Sequence, residues 1–208
     1  MPPSRAPRVL QLVLSLHPGG TERLVVDIVR RLHREIPMAV CCLDDEGAWA
    51  SDLRADGVVV TALRRTGGFH PTLARGVARA AAQHQATVVH AHHYSPFVYG
   101  ALARAWRPRL QVIYTEHGRL SDAPPSPKRR LANALFSRLP REVYTVSADL
   151  KRHIVDEGFP AATVRVVYNG IDVQPLPNAA DRAAVRAELG VGEDTLVVGA
   201  IARLDPVK

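Results

Sequence analysis

The chain has 208 residues, 47% of them hydrophobic and 23% charged. At ~150 residues per domain this is room for one complete domain but not two. The composition excludes wholesale disorder, and no apolar run nears the ~18 residues of a membrane-spanning helix. Basic residues outnumber acidic ones 27 to 20, a net charge of +7.

In chain order, Arg5 and Arg8 precede an apolar run at 9–16 that has the outline of a short signal sequence. Gln11 interrupts it, Pro18-Gly19-Gly20 closes it, and no small-x-small cleavage site follows, so 8–15 is predicted as a buried first strand. A helix over 20–34 carries Leu24, Val25, Ile28, Val29 and Leu32 on one stripe. A second strand at 37–43 holds the only cysteines, Cys41 and Cys42. Neighbours on a strand point to opposite faces, so these form neither an ordinary disulfide nor a zinc pair and are expected as buried thiols in a reducing cytosol. Further strands are predicted at 57–61, 87–91, 110–115, 142–146, 164–168 and 195–201. Helices are predicted at 70–84, 95–105, 127–138, 147–157 and 181–189, the last closed by Gly190. Continuous Val/Ile/Leu strands alternating with helices predict an α/β doubly wound parallel sheet. The Pro-containing stretch 173–180 marks a linker, so residues 1–175 are expected as one domain. Residues 176–208, one helix and one strand, read as the start of a second domain cut short.

Ligands in such sheets bind outside the carboxyl ends of the strands. The polar residues there are Gly19, Gly20, Thr21 and Arg23, then His92 and His93, then Glu116 and His117, then Ser147, Asn169 and Arg203. The Gly19-Gly20 turn either lets helix N–H groups face a phosphate or is a tight turn capped by Thr21. It is neither a dinucleotide fingerprint nor a Walker loop. His90 and His92 share a strand face and His117 offers a third ligand, but a polar cluster lining a cleft is preferred over a metal site, with His90 a packed strand histidine. His117 reads equally as an acid/base, an orienter of a substrate hydroxyl or a satisfied loop residue, with Glu116 its partner or turned into the helix layer. Arg203 and Lys208 flank a turn and could clamp a diphosphate, although their spacing alone reads as surface charge. Residues 104–141 hold nine basic residues against Glu116 and Asp122, which suits an anionic partner or is a solvated face. Few aromatics and no reading motif argue against a nucleic-acid partner.

Together, PGGTER (18–23), VVHAHHYSPFVYGALA (88–103), VIYTEHGR (112–119), VYTVSADLKRHIV (143–155), VRVVYNGID (164–172) and VGAIARLDPVK (198–208) resemble the glycosyltransferase family 4 proteins of the GT-B fold, in order and over nearly the whole chain. The last motif departs from the family's usual Val-Gly-Arg-Leu wording, and the family's E-x7-E motif is absent. The resemblance implies the Rossmann-like acceptor half of a GT-B fold, followed by a truncated donor domain. It implies a retaining hexosyltransferase that uses a nucleotide sugar, needs no obligatory metal or other cofactor, and acts on a glycan or lipid-linked acceptor. It places His117 against the transferred sugar, and Arg203, Lys208, Gly19 and Gly20 against the donor diphosphate. Thr21, Arg23, Glu116 and Asn169 then line the acceptor side of the cleft, where His92, His93 and Ser147 are placed by their strand-end positions alone. The chain alone is expected to be inactive and cytoplasmic, with peripheral contact at an anionic inner membrane face. The alternatives are a fragment of a nucleotide-sugar epimerase of the same fold and a non-enzymatic anion- or nucleic-acid-binding domain.

Overall fold

The computed structural model describes residues 6–119, 127–173 and 175–200. Seven parallel strands form one sheet in the order β3-β2-β1-β4-β5-β6-β7. They are β1 (Val9–Val13), β2 (Met38–Cys42), β3 (Val59–Ala62), β4 (Val88–His92), β5 (Gln111–Glu116), β6 (Glu142–Thr145) and β7 (Val164–Val166). The helices are α1 (Gly20–Leu32), α2 (Ala50–Ala55), α3 (Thr72–Gln83), α4 (Tyr94–Ala103), α5 (Pro127–Phe136), α6 (Ala148–Asp156) and α7 (Ala179–Glu188). The doubly wound parallel sheet expected from the alternation is therefore present. Strand order reverses between β1 and β4, paired Val9 to Val88 and Gln11 to His90. That reversal opens a crevice at the carboxyl ends of these two strands.

Continuous apolar strands form here because helices cover both faces. Leu10, Leu12 and Cys41 pack with Ala74, Val77 and Ala81 of α3. Val13, Val40 and Cys42 pack with Val25, Val26 and Val29 of α1. Adjacent Cys41 and Cys42 thus enter different clusters, both fully buried, as strand alternation requires. Burial raises Cys41 to about 11 and Cys42 further, so neither thiol is reactive at neutral pH. Each buried valine of the α1 stripe contributes about 1.5–3 kcal/mol. A third cluster joins Phe97, Tyr114, Phe159 and Val143. At Gly100 an added Cβ would stand 3.2 Å from Val89 Cγ1, so glycine lets α4 lie this close to the sheet.

The chain divides into two compact units, Met1–Asn169 and Gly170–Lys208. In the second, Asn178 caps α7 by accepting from the Asp181 N–H at 2.9 Å, and Gly190 follows with φ +66°. No residue of α7 is buried. The strand predicted at 195–201 is a correction: described residues 195–200 form no strand, and Leu196 and Val198 are both 88% exposed. Its apolar run is strand-like, but a strand requires a hydrogen-bonded neighbour. The α2 helix, unforeseen, is six residues long and buries only Ala50 and Leu53, too little to show a period. No helix among the described residues is long and apolar enough to cross a membrane.

Candidate active site at the carboxyl edge of the sheet

The reversal point carries a polar cluster in an otherwise apolar sheet. Gln11 sits mid-strand in β1, His90 and His92 in β4, and Glu116 ends β5. His93 follows β4 with φ 75° and ψ 165°, a region glycine occupies readily and other residues hold at a cost of about 1–3 kcal/mol. Two side-chain hydrogen bonds hold it there. Its Nδ1 lies 2.6 Å from Glu116 Oε1 and its Nε2 lies 2.8 Å from Thr21 Oγ1.

Glu116 is 5% exposed. Burial pushes its pKa up, but hydrogen bonds from His93, Tyr114 and the His117 N–H outweigh burial and hold it below the ordinary carboxylate value. The Tyr114 hydroxyl donates to Oε2 at 2.7 Å, and the His117 N–H donates to Oε1 at 3.0 Å. An ionised carboxylate only accepts, so His93 donates from Nδ1. Its Nε2 shares the other hydrogen bond with the Thr21 hydroxyl.

A second string runs beside the first. His92 is buried, with Nε2 2.8 Å from Gln11 Oε1 and Nδ1 2.9 Å from His117 Nε2. Burial pushes His92 well below its ordinary pKa, and neighbouring His90, His117 and His93 add to the shift. Burial, then the charge of His93, lowers His117 to about 4, and burial alone lowers His90 to about 4. His90 Nε2 lies 2.8 Å from Thr115 Oγ1. It is the packed strand histidine expected. Among the described residues no three His, Cys, Asp or Glu side chains form a group that could hold a metal ion.

Several expected roles change. Thr21 does not cap α1: Gly19 is the N-cap, without a side-chain cap bond, and Thr21 turns to His93. The imidazole partner of Glu116 is His93 rather than His117. Arg23 is exposed and pairs with Asp27 at 3.1 Å. Ser147 caps α6, accepting from the Leu150 N–H at 3.1 Å, and Asn169 is exposed at the end of the first unit. Arg203 and Lys208 lie outside the described residues. An added Cβ at Gly20 would meet nothing within 4 Å, whereas one at Gly19 would collide with the Glu22 carboxylate. Gln11 and Tyr114, both unforeseen, complete the two strings. The signal for Gln11 was a polar residue in the middle of an apolar strand.

A cavity of ≈ 530 Å³ lies along the first turns of α4, lined by residues that include Arg65, Phe69, Tyr94 and Tyr99. Phe69, 60% exposed, stacks on Tyr99 at 5.6 Å.

Comparison with known proteins agrees with this fold. The chain is 28% identical over 148 residues to the D-inositol 3-phosphate glycosyltransferase of Mycobacterium tuberculosis, covering 65% of this chain and 30% of that protein. Among solved structures, Anabaena Alr3699/HepE in complex with UDP matches with a TM-score of 0.68 at 25% identity, over 88% of this chain and 50% of that one. The same protein has been solved with UDP-glucose. A Rickettsia africae glycosyltransferase, 14% identical with a TM-score of 0.71, shares the fold over 90% of this chain and 51% of its own. The chain therefore spans about 30% of the length of the curated relatives it matches and about half that of the solved ones. The model of Glycosyltransferase Family 4 matches residues 18–175, from the glycine turn beyond the last strand of the sheet, and the chain belongs to that family.

Proposed function

We propose that this chain is the acceptor-side half of a retaining hexosyltransferase that moves a sugar from a nucleoside diphosphate to a glycan or lipid-linked hydroxyl. The observation that carries the reading is the hydrogen-bonded histidine cluster at the point where strand order reverses, beside a glycine turn with open space in front of Gly20. Gln11, His92, His93, Glu116 and Tyr114 are rigidly tied to strands, so the edge is organised before a substrate arrives.

In this reading the donor enters from a second domain and is a sugar nucleotide of the kind the Anabaena protein binds, UDP-glucose. His117 contacts the transferred sugar. Arg203 and Lys208 take up the charge that develops on the departing diphosphate, a role a metal plays elsewhere. An anion over Gly19 meets the Glu22 carboxylate close by, so phosphate approach is favoured at Gly20. Thr21, His93 and Glu116 face the acceptor side. On α5, exposed Lys128, Arg130, Leu131 and Leu135 supply positive charge and apolar surface together, which supports peripheral contact with an anionic membrane at the cytoplasmic face.

A fusion of this chain to the donor half of the Anabaena protein tests the reading. It should release UDP from UDP-glucose in the presence of a sugar acceptor, and activity should survive chelation. The chain alone should transfer nothing. Arg203→Ala in the fusion should lower kcat at least tenfold, since the lost interaction forms mainly in the transition state. A folded fusion that releases no nucleotide from any sugar nucleotide and acceptor supplied would contradict the proposal.

A further inference from the structure

The direction of every hydrogen bond in the His92 string can be derived from its far end. Met38 Sδ is a thioether and can only accept. Gln11 Nε2 lies 3.7 Å from it, so the amide nitrogen faces the sulfur and Oε1 faces His92. A carbonyl oxygen accepts, so the proton at that contact is on His92 Nε2. Burial keeps His92 neutral, so its Nδ1 holds a lone pair and must accept. His117 Nε2, 2.9 Å away, must therefore donate. With His117 also neutral, its Nδ1 is left with a lone pair and no proton. That atom is shielded from solvent and has no hydrogen-bond partner among the described residues. The reversed arrangement would turn the Gln11 oxygen toward sulfur and leave a buried N–H donor unpaired, which costs about 1–3 kcal/mol.

We propose that Gln11 and His92 are positioning residues that fix the ring tautomer of His117, making its Nδ1 an obligate hydrogen-bond acceptor matched to a sugar hydroxyl and mismatched to a phosphate or carboxylate oxygen. The functional half rests on the sugar-transfer reading above. The tautomer itself does not. The string runs from β2 through β1 and β4 to the end of β5, so the sheet core dictates which ring nitrogen of His117 carries the proton. A residue that merely filled space would impose no such direction. The selectivity follows from the missing proton: once a bound sugar displaces what shields the atom, a hydroxyl can donate to Nδ1, whereas an anionic oxygen meets a lone pair.

The test is nuclear magnetic resonance on the 208-residue chain labelled with 15N. Long-range proton–nitrogen correlations report which ring nitrogen is protonated, and a through-hydrogen-bond coupling reports the link between the rings. Between pH 8 and 6, both His92 and His117 should carry their proton on Nε2, with coupling from His117 Nε2 to His92 Nδ1. A proton on either Nδ1, or no coupling, would overturn the proposal. Gln11→Glu is isosteric and gives a second arm. When the buried carboxyl or His92 takes up one extra proton, His92 Nδ1 becomes the donor and the proton of His117 moves to Nδ1. That reversal should develop as the pH falls from 8 to 5.5, while the unsubstituted chain stays unchanged. A folded Gln11→Glu chain that takes up the extra proton over this range, followed by the carboxyl carbon and imidazole shifts, and still keeps the original pattern would show that Gln11 does not set the tautomer. If the variant fails to fold, the unsubstituted chain alone decides. Loss of sugar transfer in the fusion with the tautomers intact would remove the functional half only.

Discussion

The string Gln11–His92–His117 and the string Thr21–His93–Glu116–Tyr114 lie side by side, with the His93 and His117 rings 5.3 Å apart, yet they are anchored differently. The first ends on an uncharged amide, and burial keeps its imidazoles unprotonated. The second ends on a carboxylate held ionised by three donors. Neighbouring histidines in one motif therefore take on separate tasks because of what stands behind each of them. The strained backbone at His93 is what splits them, since it turns one ring toward α1 while His92 stays in the sheet.

Removing the anchor of the charged string should have the largest effect. Glu116→Ala strands the Tyr114 hydroxyl and the His117 N–H and frees the strained His93. It should cost about 3–5 kcal/mol in urea unfolding, since several buried donors lose their acceptor at about 1–3 kcal/mol each. Glu116→Gln keeps an acceptor but loses the charge, and should cost less.

Acid separates the strings by window. His117 is neutral in the folded state down to about 4 but ordinarily titrates near 6.5. The unfolded chain thus binds more protons between these values, and stability falls as pH drops from about 6.5 to about 4, by roughly 3 kcal/mol for this one group at about 1.4 kcal/mol per unit. Glu116 has a lowered folded pKa, so its contribution is present above its ordinary value near 4.5 and is lost only as pH falls further. Unfolding midpoints measured across pH 7 to 3 should show the first decline in the wild type. His117→Phe should flatten part of it, while the later decline remains.

Much of the scaffold was legible because parallel strands covered on both faces are apolar runs, as 38–42 is throughout and 9–13 is apart from Gln11. The same rule misled at 195–200, where an apolar run has no sheet to join among the described residues. The location of the site was legible from strand ends, but its pairing was not. Glu116 and His117 are adjacent in sequence, which left a dyad and an inward-turned carboxylate equally open, and alternation puts the carboxylate inside while the positive-φ backbone at His93 turns that ring to it. Gln11 was visible only as an interruption of a strand, because nothing in sequence says that a histidine 81 residues away will need its oxygen. Ser147 shows the converse: a strand-end serine reads as a site residue until its hydroxyl is found capping α6.

The most direct test of the carboxyl edge as a sugar-transfer site compares two substitutions in the fusion with the Anabaena donor half. His117→Ala should lower kcat at least tenfold, because in the proposed function this residue contacts the transferred sugar. Ser147→Ala, which removes a helix cap worth about 1 kcal/mol, should leave kcat within about twofold at a temperature where the protein is folded. Equal turnover in both variants, with both chains folded, would contradict the assignment.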